Sequence, residues 1–277
     1  MRTIELQLLS DGWCMQLEAF ALRGGRWRPV RFFSMFALLR HPTAGAVLFD
    51  TGYSPHFLKA TARWPWGLYR AVTPVTLETG WSAVEQLDRA GVPPAEVRHV
   101  FVSHLHADHV GGQRDFQHAA IHVAREAWQD VAGRTAFGQL RRAFVPSLLP
   151  DDFQARAQWL EEKPVVTLGP AWAGLHQARD LLGDSSLLAV PLPGHAAGQH
   201  GLLFQSRQGP VLLAADGAWM RRAVRENAPP HPLTCLIQNL PQTRATLQML
   251  HELHRHRPDL EIVPSHCPEN KLAPSGL

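Results

Sequence analysis

Short apolar runs bounded by glycine, proline or polar residues recur along the chain and are typical of buried strands. The predicted strands are residues 4–9, 34–39 and 46–49, and the apolar runs that begin at Val100, Leu188, Pro210 and Ile262. Apolar residues at helical spacing predict helices at 81–90, 125–131 and 242–257. Strands that alternate with helices in this way indicate an α/β protein in which helices cover the sheets.

The segment that follows the apolar run 100–102 contains three imidazoles and one carboxylate within six positions, at His104, His106, Asp108 and His109. Neutral imidazole nitrogens and carboxylate oxygens are ligands that suit Zn²⁺. If the segment is extended, alternation places three of these side chains on one side and His109 on the other. We therefore expect one loop to serve two ions, with His104 and His106 on the first and the other pair on the second.

Three further polar residues stand where an apolar run ends, namely His195, Asp216 and His266. Each of these residues alone gives only weak support for a functional site, because strands commonly end in turn-forming residues. Buried strands that deliver polar side chains to one edge of a sheet are, however, how α/β proteins assemble their sites. We therefore expect these three residues to join the histidine-rich segment.

The combined pattern resembles the metallo-β-lactamase fold superfamily of metal-dependent hydrolases, in which H-x-H-x-D-H is followed by a later His, Asp and His. The turn Asp50-Thr51-Gly52 and the segment from Pro193 to His200 are similar to two further motifs of that superfamily. The resemblance spans nearly the whole chain. It implies a four-layer αβ/βα sandwich and a single domain over residues 1–277.

The resemblance also implies a ligand set for two divalent ions. Zn²⁺ is the first expectation, and Fe, Mn or Co are alternatives. By this resemblance one ion is held by His104, His106 and His195, the other by Asp108, His109 and His266, and both by a bridging Asp216. Asp50 is then expected to orient a ligand histidine from outside the ligand set.

Within the superfamily the chain is most similar to the N-acyl homoserine lactone lactonases, which act in quorum quenching. Those lactonases have a tyrosine three residues after the bridging aspartate that helps to hold the lactone carbonyl, and this chain has Trp219 there. An indole N–H donates one hydrogen bond but does not act as an acid. The reaction class is therefore better supported by the resemblance than the substrate is.

A pair of cations roughly 3.5–4 Å apart lowers the pKa of a shared solvent molecule from 15.7 toward about 7. We expect the resulting metal-bridging hydroxide to attack a lactone or related ester carbonyl, with one metal polarising that carbonyl. Asp108 is the candidate for moving a proton to the leaving group. The alternatives are a phosphodiesterase or a thioesterase on the same two metals, and a regulatory binding protein that keeps the fold without turnover.

Two segments resemble insertions over the site, at residues 55–74 and 135–180. They are rich in aromatic and apolar side chains, which suit the wall of a pocket for an acyl or aromatic group. The candidate pocket residues are Trp64, Trp66, Tyr69, Phe144 and Trp219. The alternative is that these segments pack on the sandwich or on a second subunit, so a homodimer stays open.

The bulk composition changes this picture little. A formal net charge of +3 is too small to indicate nucleic-acid binding, and 45% hydrophobic with 18% charged residues is typical of a globular enzyme. We expect no membrane association, because the sequence contains no uninterrupted apolar run of about 20 residues. The odd number of cysteines, three, argues against a disulfide framework and favours a reducing compartment. The expected partner is a small lactone or ester, and the expected location is the cytoplasm.

Overall fold

Two β-sheets organise the computed structural model, which describes residues 2–270 and 272. The strands of the seven-stranded sheet, in spatial order, are β4 (Val75–Leu77), β1 (Glu5–Leu17), β2 (Pro29–His41), β3 (Gly45–Phe49), β5 (Val97–Phe101), β6 (Ala120–Val123) and β7 (Ala157–Trp159). The strands of the six-stranded sheet are β13 (Glu261–Pro264), β12 (Gly209–Ala215), β11 (His200–Ser206), β10 (Leu187–Pro191), β9 (Gln177–Asp180) and β8 (Val165–Thr167).

Helices connect the strands and cover the sheets. They are α1 (Glu18–Ala21), α2 (Pro55–Ala60), α3 (Gly67–Val72), α4 (Ala83–Arg89), α5 (Ala107–Val110), α6 (Arg125–Val131), α7 (Ala136–Arg141), α8 (Phe153–Arg156), α9 (Arg221–Glu226) and α10 (Leu240–His256). Among the described residues, none of these helices has the length and apolarity needed to cross a membrane.

Strand β10 of the six-stranded sheet is apolar on both faces because each face packs against a different layer. In β10, Leu187 and Ala189 join the cluster between the two sheets, whereas Leu188 and Val190 join the cluster beneath α10. A strand buried on both faces has a continuous apolar run instead of an alternating pattern. This packing confirms the predicted α/β sandwich, with sheets in the centre and helices outside.

Several element boundaries differ from the sequence prediction. Strand β1 continues to Leu17, with an irregularity after Ser10, where the prediction ended at residue 9. Strand β11 was not predicted, because its apolar run 202–204 is short and lies between polar residues. Helix α10 begins at Leu240, where the Asn239 side chain accepts a hydrogen bond from the N–H of Gln242 and caps the first turn.

The turn after β3 is fastened to helix α5 by several hydrogen bonds. The N–H of Thr51 donates to the carbonyl of His109 at 2.8 Å, and the N–H of Gly111 donates to the carbonyl of Gly52 at 2.8 Å. The hydroxyl of Ser54 donates to the carbonyl of Gly111 at 2.6 Å. The histidine-rich segment is therefore held against the end of a central strand by backbone groups.

A methyl group at position 111 should destabilise this junction. A Cβ there would lie 2.6 Å from the Gly52 carbonyl oxygen and 2.8 Å from the Tyr53 Cα, and backbone atoms have little freedom to retreat. We expect Gly111→Ala to lower the free energy of unfolding by about 1–3 kcal/mol in denaturant titrations. Gly169→Ala is the matched control, because no atom lies within 4 Å of the position that its Cβ would occupy, and its φ of −72° suits alanine. Equal stability of the two variants would contradict the assigned close approach.

Candidate metal centre

Five strand ends meet at one edge of the sandwich and deliver the predicted ligands. Strand β5 leads to His104, β10 to His195, β12 to Asp216 and β13 to His266, while α5 contributes the residues that follow His106. Strand β3 ends at Phe49 and is followed by Asp50, which lies behind them. Strands β3, β5, β12 and β13 include parallel pairs, so their carboxyl ends lie side by side. The structure thus brings together residues that the sequence separates by up to 162 positions, from His104 to His266.

The local conformation of the histidine-rich segment differs from the expected alternation. Asp108 and His109 lie in the first turn of α5, and His106 is the residue that precedes this helix. The expectation of an extended strand was therefore wrong at these two positions. The helical turn nevertheless brings both side chains into one group, together with His266.

The side chains form three overlapping groups whose nitrogen or oxygen atoms lie within 4.8 Å of one another. The groups are His104, His106 and His195; His104, His109 and Asp216; and Asp108, His109 and His266. In the first group, Nε2 of His195 lies 3.0 Å from Nδ1 of His106. The outer two groups match the two sets that the family resemblance implies, and the middle group connects them.

Asp216 occupies the centre of the arrangement. Its Oδ2 lies 3.0 Å from Nε2 of His266 and 3.2 Å from Nε2 of His195, and its Oδ1 lies 3.5 Å from Nε2 of His109. One carboxylate therefore faces imidazoles of both outer groups. This is the position required of a ligand shared between two ions.

Unpartnered polar atoms test whether these residues fit metal ions. Nε2 of His104, Nε2 of His109 and Oδ1 of Asp216 are fully buried, and no described residue gives them a hydrogen bond. Burying a polar atom without a partner costs free energy, so native proteins rarely leave such atoms unused. Coordination of a cation would satisfy these nitrogen and oxygen atoms at once. The residues present therefore fit divalent metal ions.

The two outer groups differ in how they bind protons. Burial lowers the pKa of His104, His106 and His195, and the charges of neighbouring histidines contribute to this for the first two. Burial also acts on His109 and His266, but the charge of Asp50 on the former and of Asp216 on the latter outweighs it and raises the pKa of both. Protons therefore compete with a metal ion more strongly at His109 and His266 than at the first group.

A shell of fixed partners surrounds the ligands. Nδ1 of His109 donates to Oδ2 of Asp50 at 2.7 Å, and the N–H of Ser103 donates to Oδ1 of Asp50 at 2.7 Å. Nδ1 of His266 donates to the carbonyl of Phe33 at 2.7 Å. In both histidines, Nδ1 carries the proton and donates a hydrogen bond to an acceptor outside the ligand set. Nε2 therefore carries no proton and faces the ligand centre.

Trp219 contacts the ligand set directly. Its Nε1 donates to Oδ2 of Asp216 at 2.9 Å, and its ring packs edge-on against His195 with centroids 5.6 Å apart. The ring also packs edge-on against Phe32 at 6.0 Å. The single N–H of the indole is therefore engaged with the shared carboxylate.

A cavity of about 670 Å³ opens onto this centre. The candidate ligands His106, Asp108 and Asp216 form part of its wall, and most of the remainder is apolar. The apolar wall includes Phe20, Phe32, Leu68, Val72, Leu236 and Ile237. The cavity therefore combines a polar end at the ligands with an apolar body.

The five predicted pocket residues divide between different places. Tyr69 and Trp219 line the cavity. Trp64 and Trp66 lie outside it, on a separate surface depression, and Trp64 is 74% exposed. Phe144 is 1% exposed and packs in the core between the sheets. The assignment of these last three to the pocket is corrected, because an aromatic residue beside a proline or an apolar run looks the same in sequence whether it packs inward or lines a cavity.

Sequence reasoning missed two groups that the structure places at the centre. Tyr53 lines the cavity, and Ser103 binds Asp50 through both its N–H and its hydroxyl. The sequence did contain a signal that Tyr53 lies near the site. It directly follows the turn at 50–52, and it is one of only two tyrosines in the chain. The thiol of Cys14 also lines the cavity, and burial raises its pKa.

Comparisons of the sequence with known proteins agree on one family. The sequence profile of the Metallo-beta-lactamase superfamily matches residues 31–245. A probable metallo-hydrolase of Mycobacterium tuberculosis is 30% identical over 244 residues, which cover 84% of this chain and 74% of the relative. The N-acyl homoserine lactonase AttM of Agrobacterium fabrum is 28% identical over 246 residues, which cover 87% of this chain and 82% of that enzyme.

Solved structures share the fold. An N-acyl homoserine lactone hydrolase with the product N-hexanoyl-L-homoserine at its catalytic metal centre aligns with a TM-score of 0.75 and 18% identity, and the alignment covers 100% of both chains. AidC, a dizinc quorum-quenching lactonase, aligns with a TM-score of 0.64 and 14% identity over 100% of this chain and 94% of the other. At these identities the likeness establishes the fold alone.

Acid should release metal from the two outer groups at different pH values. Metal binding requires neutral imidazoles, and the raised pKa of His109 and His266 makes protons compete for their group at a higher pH. We expect the metal content of dialysed protein to fall from two ions per chain to one, and only then to zero, as the pH is lowered. Elemental analysis after each step measures this, with circular dichroism to verify that the fold persists. Loss of both ions in a single step would contradict the assigned difference.

Removing the charge of Asp50 should weaken metal binding. An amide at this position would direct N–H groups at the Ser103 N–H or at Nδ1 of His109. We expect Asp50→Asn to reduce metal affinity by about 10–100-fold in competition with a chelator. Asp115→Asn is the control, because Asp115 forms a similar 2.7 Å pair with Nε2 of His56 away from the ligands. An unchanged metal affinity in Asp50→Asn would show that Asp50 does not orient His109 for metal binding.

Proposed function

The chain belongs to the metallo-β-lactamase superfamily, and from that premise we propose that this metal-dependent hydrolase opens a lactone or related ester that carries an apolar acyl group. The observation that carries the proposal is the cavity whose polar end is the ligand set and whose body is apolar. A scissile carbonyl would bind at the ligands, and the acyl group would occupy the body.

The proposed cofactors are two divalent ions. His104, His106 and His195 would hold one ion, Asp108, His109 and His266 the other, and Asp216 both. Ions held there supply a hydroxide nucleophile at neutral pH and a Lewis acid for the carbonyl. Imidazole and carboxylate ligands without a thiolate favour Zn²⁺ and also suit Fe, Mn or Co.

Two side chains have proposed roles beyond coordination. Asp108 lies on the cavity wall with Oδ2 3.6 Å from Nε2 of His266, so it can reach both the ligand centre and a bound substrate. We assign it the transfer of a proton to the leaving group. Trp219 holds Oδ2 of Asp216 in place through its N–H.

N-acyl homoserine lactones are the proposed substrate, and quorum quenching the proposed biological role. The curated lactonase relatives and the mainly neutral cavity support this choice. Among the described lining residues outside the ligand set, Arg141 is the one charged side chain, which favours a neutral substrate over a phosphodiester. We further propose that residues 1–277 form one domain, that the protein acts in the cytoplasm, and that it can form a homodimer.

A hydrolysis panel with a ligand variant tests this function. We expect the metal-loaded protein to open N-acyl homoserine lactones faster than it cleaves aryl esters, thioesters or phosphodiesters, measured by proton release. We expect His109→Ala to abolish lactone opening, because it removes a ligand from two of the three groups. His254→Ala, on the exposed face of α10, is the control and should keep full activity. Full activity in His109→Ala would refute the two-metal mechanism, and faster thioester or phosphodiester cleavage would favour the alternative substrates.

A further inference from the structure

Exposed apolar side chains concentrate around the mouth of the cavity. Nine of the eleven large apolar side chains that are exposed in the described part of the chain belong to four segments, at residues 20–31, 58–73, 134–142 and 227–244. We call these four segments together the mouth face. Val72 is 75% exposed and Leu236 is 63% exposed, although both also line the cavity. Exposed apolar surface of this kind, with polar residues around it, is typical of a docking surface.

The four segments of the mouth face meet around one opening. Each contributes at least one residue to the cavity wall, namely Phe20, Leu68, Leu140 and Ile237. Trp64 packs edge-on against Phe137 with centroids 5.9 Å apart, which joins the second segment to the third. Phe20 packs edge-on against Trp27 at 6.0 Å and against His231 at 5.4 Å, which joins the first segment to the fourth. The mouth face is therefore one continuous surface with the cavity at its centre.

The mouth face is also basic. Its four segments contain eleven of the 27 Lys and Arg residues of the chain and none of the 24 Asp and Glu residues. All eleven basic residues are exposed. Acidic side chains from outside the segments pair with three of them, Asp130 with Arg134 and Arg142, and Glu18 with Arg28. The described residues place no carboxylate within 4.0 Å of the side-chain nitrogens of the other eight. The face therefore carries a net positive charge.

An anionic lipid surface matches this combination of features. Lys and Arg side chains are attracted to anionic headgroups, which are present in the cytoplasmic leaflet of membranes. Exposed tryptophans such as Trp27 and Trp64 suit the headgroup region, and exposed Leu and Val side chains suit the apolar layer below it. A lipid surface also matches the apolar cavity that opens at the centre of the face, because an acyl chain can enter it.

A second copy of the chain matches the mouth face less well. A twofold contact through this face would place the two basic surfaces against each other, and like charges repel. An acidic protein would match the charge, but it gives no reason for an apolar rim around the opening of the cavity. The observations therefore favour a lipid surface.

We propose that the mouth face docks on the surface of an anionic lipid bilayer, with the opening of the cavity turned toward the lipid. The expectation of no membrane association rested on the lack of a spanning segment, and a peripheral contact needs none. Docking itself does not depend on the proposed function. Under that function, a substrate with an apolar acyl group would pass from the bilayer into the cavity without crossing bulk water.

Vesicle flotation of the metal-loaded full chain tests the proposal. We expect the protein to bind vesicles that contain phosphatidylglycerol and to bind vesicles of phosphatidylcholine alone only weakly. Added salt should weaken the binding, because it screens the attraction between the exposed basic side chains and the headgroups. Equal binding to both kinds of vesicle, or binding to neither, would overturn the proposal.

Substitutions on the mouth face and away from it provide a matched comparison. We expect Arg63→Glu to weaken binding to anionic vesicles about tenfold, because it replaces attraction by repulsion. We expect Trp64→Ser to weaken it roughly fivefold, because an interfacial ring is lost. The controls are Val165→Ser, on β8, and Arg207→Glu, in the turn at the end of β12 opposite Asp216, and both should bind like the wild type. Metal content and thermal midpoint should be unchanged in all four variants, and wild-type binding by both Arg63→Glu and Trp64→Ser would contradict the assignment.

Two further measurements distinguish the other occupants of the mouth face. Sedimentation velocity should give the same mass for the wild type and Trp64→Ser; loss of a dimer in this variant, without vesicle binding by the wild type, would assign the face to a second copy. Binding to soluble polyglutamate but not to anionic vesicles would assign it to an acidic protein. Either result would overturn the proposal. Both differ from failure of the proposed function, in which the wild-type protein opens no lactone or ester.

Discussion

The buried carboxylate of Asp50 is the interaction on which the centre depends. It accepts hydrogen bonds from the Ser103 N–H and hydroxyl and from Nδ1 of His109, and so joins the end of β3 to the end of β5 and to α5. Because a carboxylate accepts and does not donate, the bond fixes the proton of His109 on Nδ1. Nε2 of that imidazole is then bare and directed at the ligand groups. This bond therefore orients the His109 ring and sets its tautomer.

The rest of the centre combines two electrostatic environments around a shared carboxylate. Burial keeps His104, His106 and His195 neutral, whereas Asp50 and Asp216 make His109 and His266 stronger bases. Asp216 faces both sets, and Trp219 restrains it from outside. Ligands from both sheets thus contribute to one set, so the centre is complete only after the sheets have packed.

The sequence identified the residues that the structure brings together, because the signal for them is local. A polar side chain at the tip of an apolar run, as at His195, Asp216 and His266, indicates a strand end, and strand ends meet at one edge of an α/β sheet. The cavity wall has no such signal. Whether Trp64, Trp66 or Phe144 lines a pocket depends on how α2, α3 and the segments after α7 pack, and this packing is set by contacts between residues distant in sequence. The same holds for Tyr53 and Tyr69, which line the cavity from the segment after β3 and from α3.

The walls of the cavity and its ligands come from different parts of the chain. Leu68 and Val72 belong to α3 and Leu236 to the short helix at Pro232–Leu236, and neither element carries a ligand. The ligands follow strands whose apolar residues are fixed by the core. Substitutions in these walls can therefore change the shape of the cavity while leaving the candidate ligands unaltered. During evolution, the set of molecules that fit the cavity can thus change while the candidate ligands stay the same.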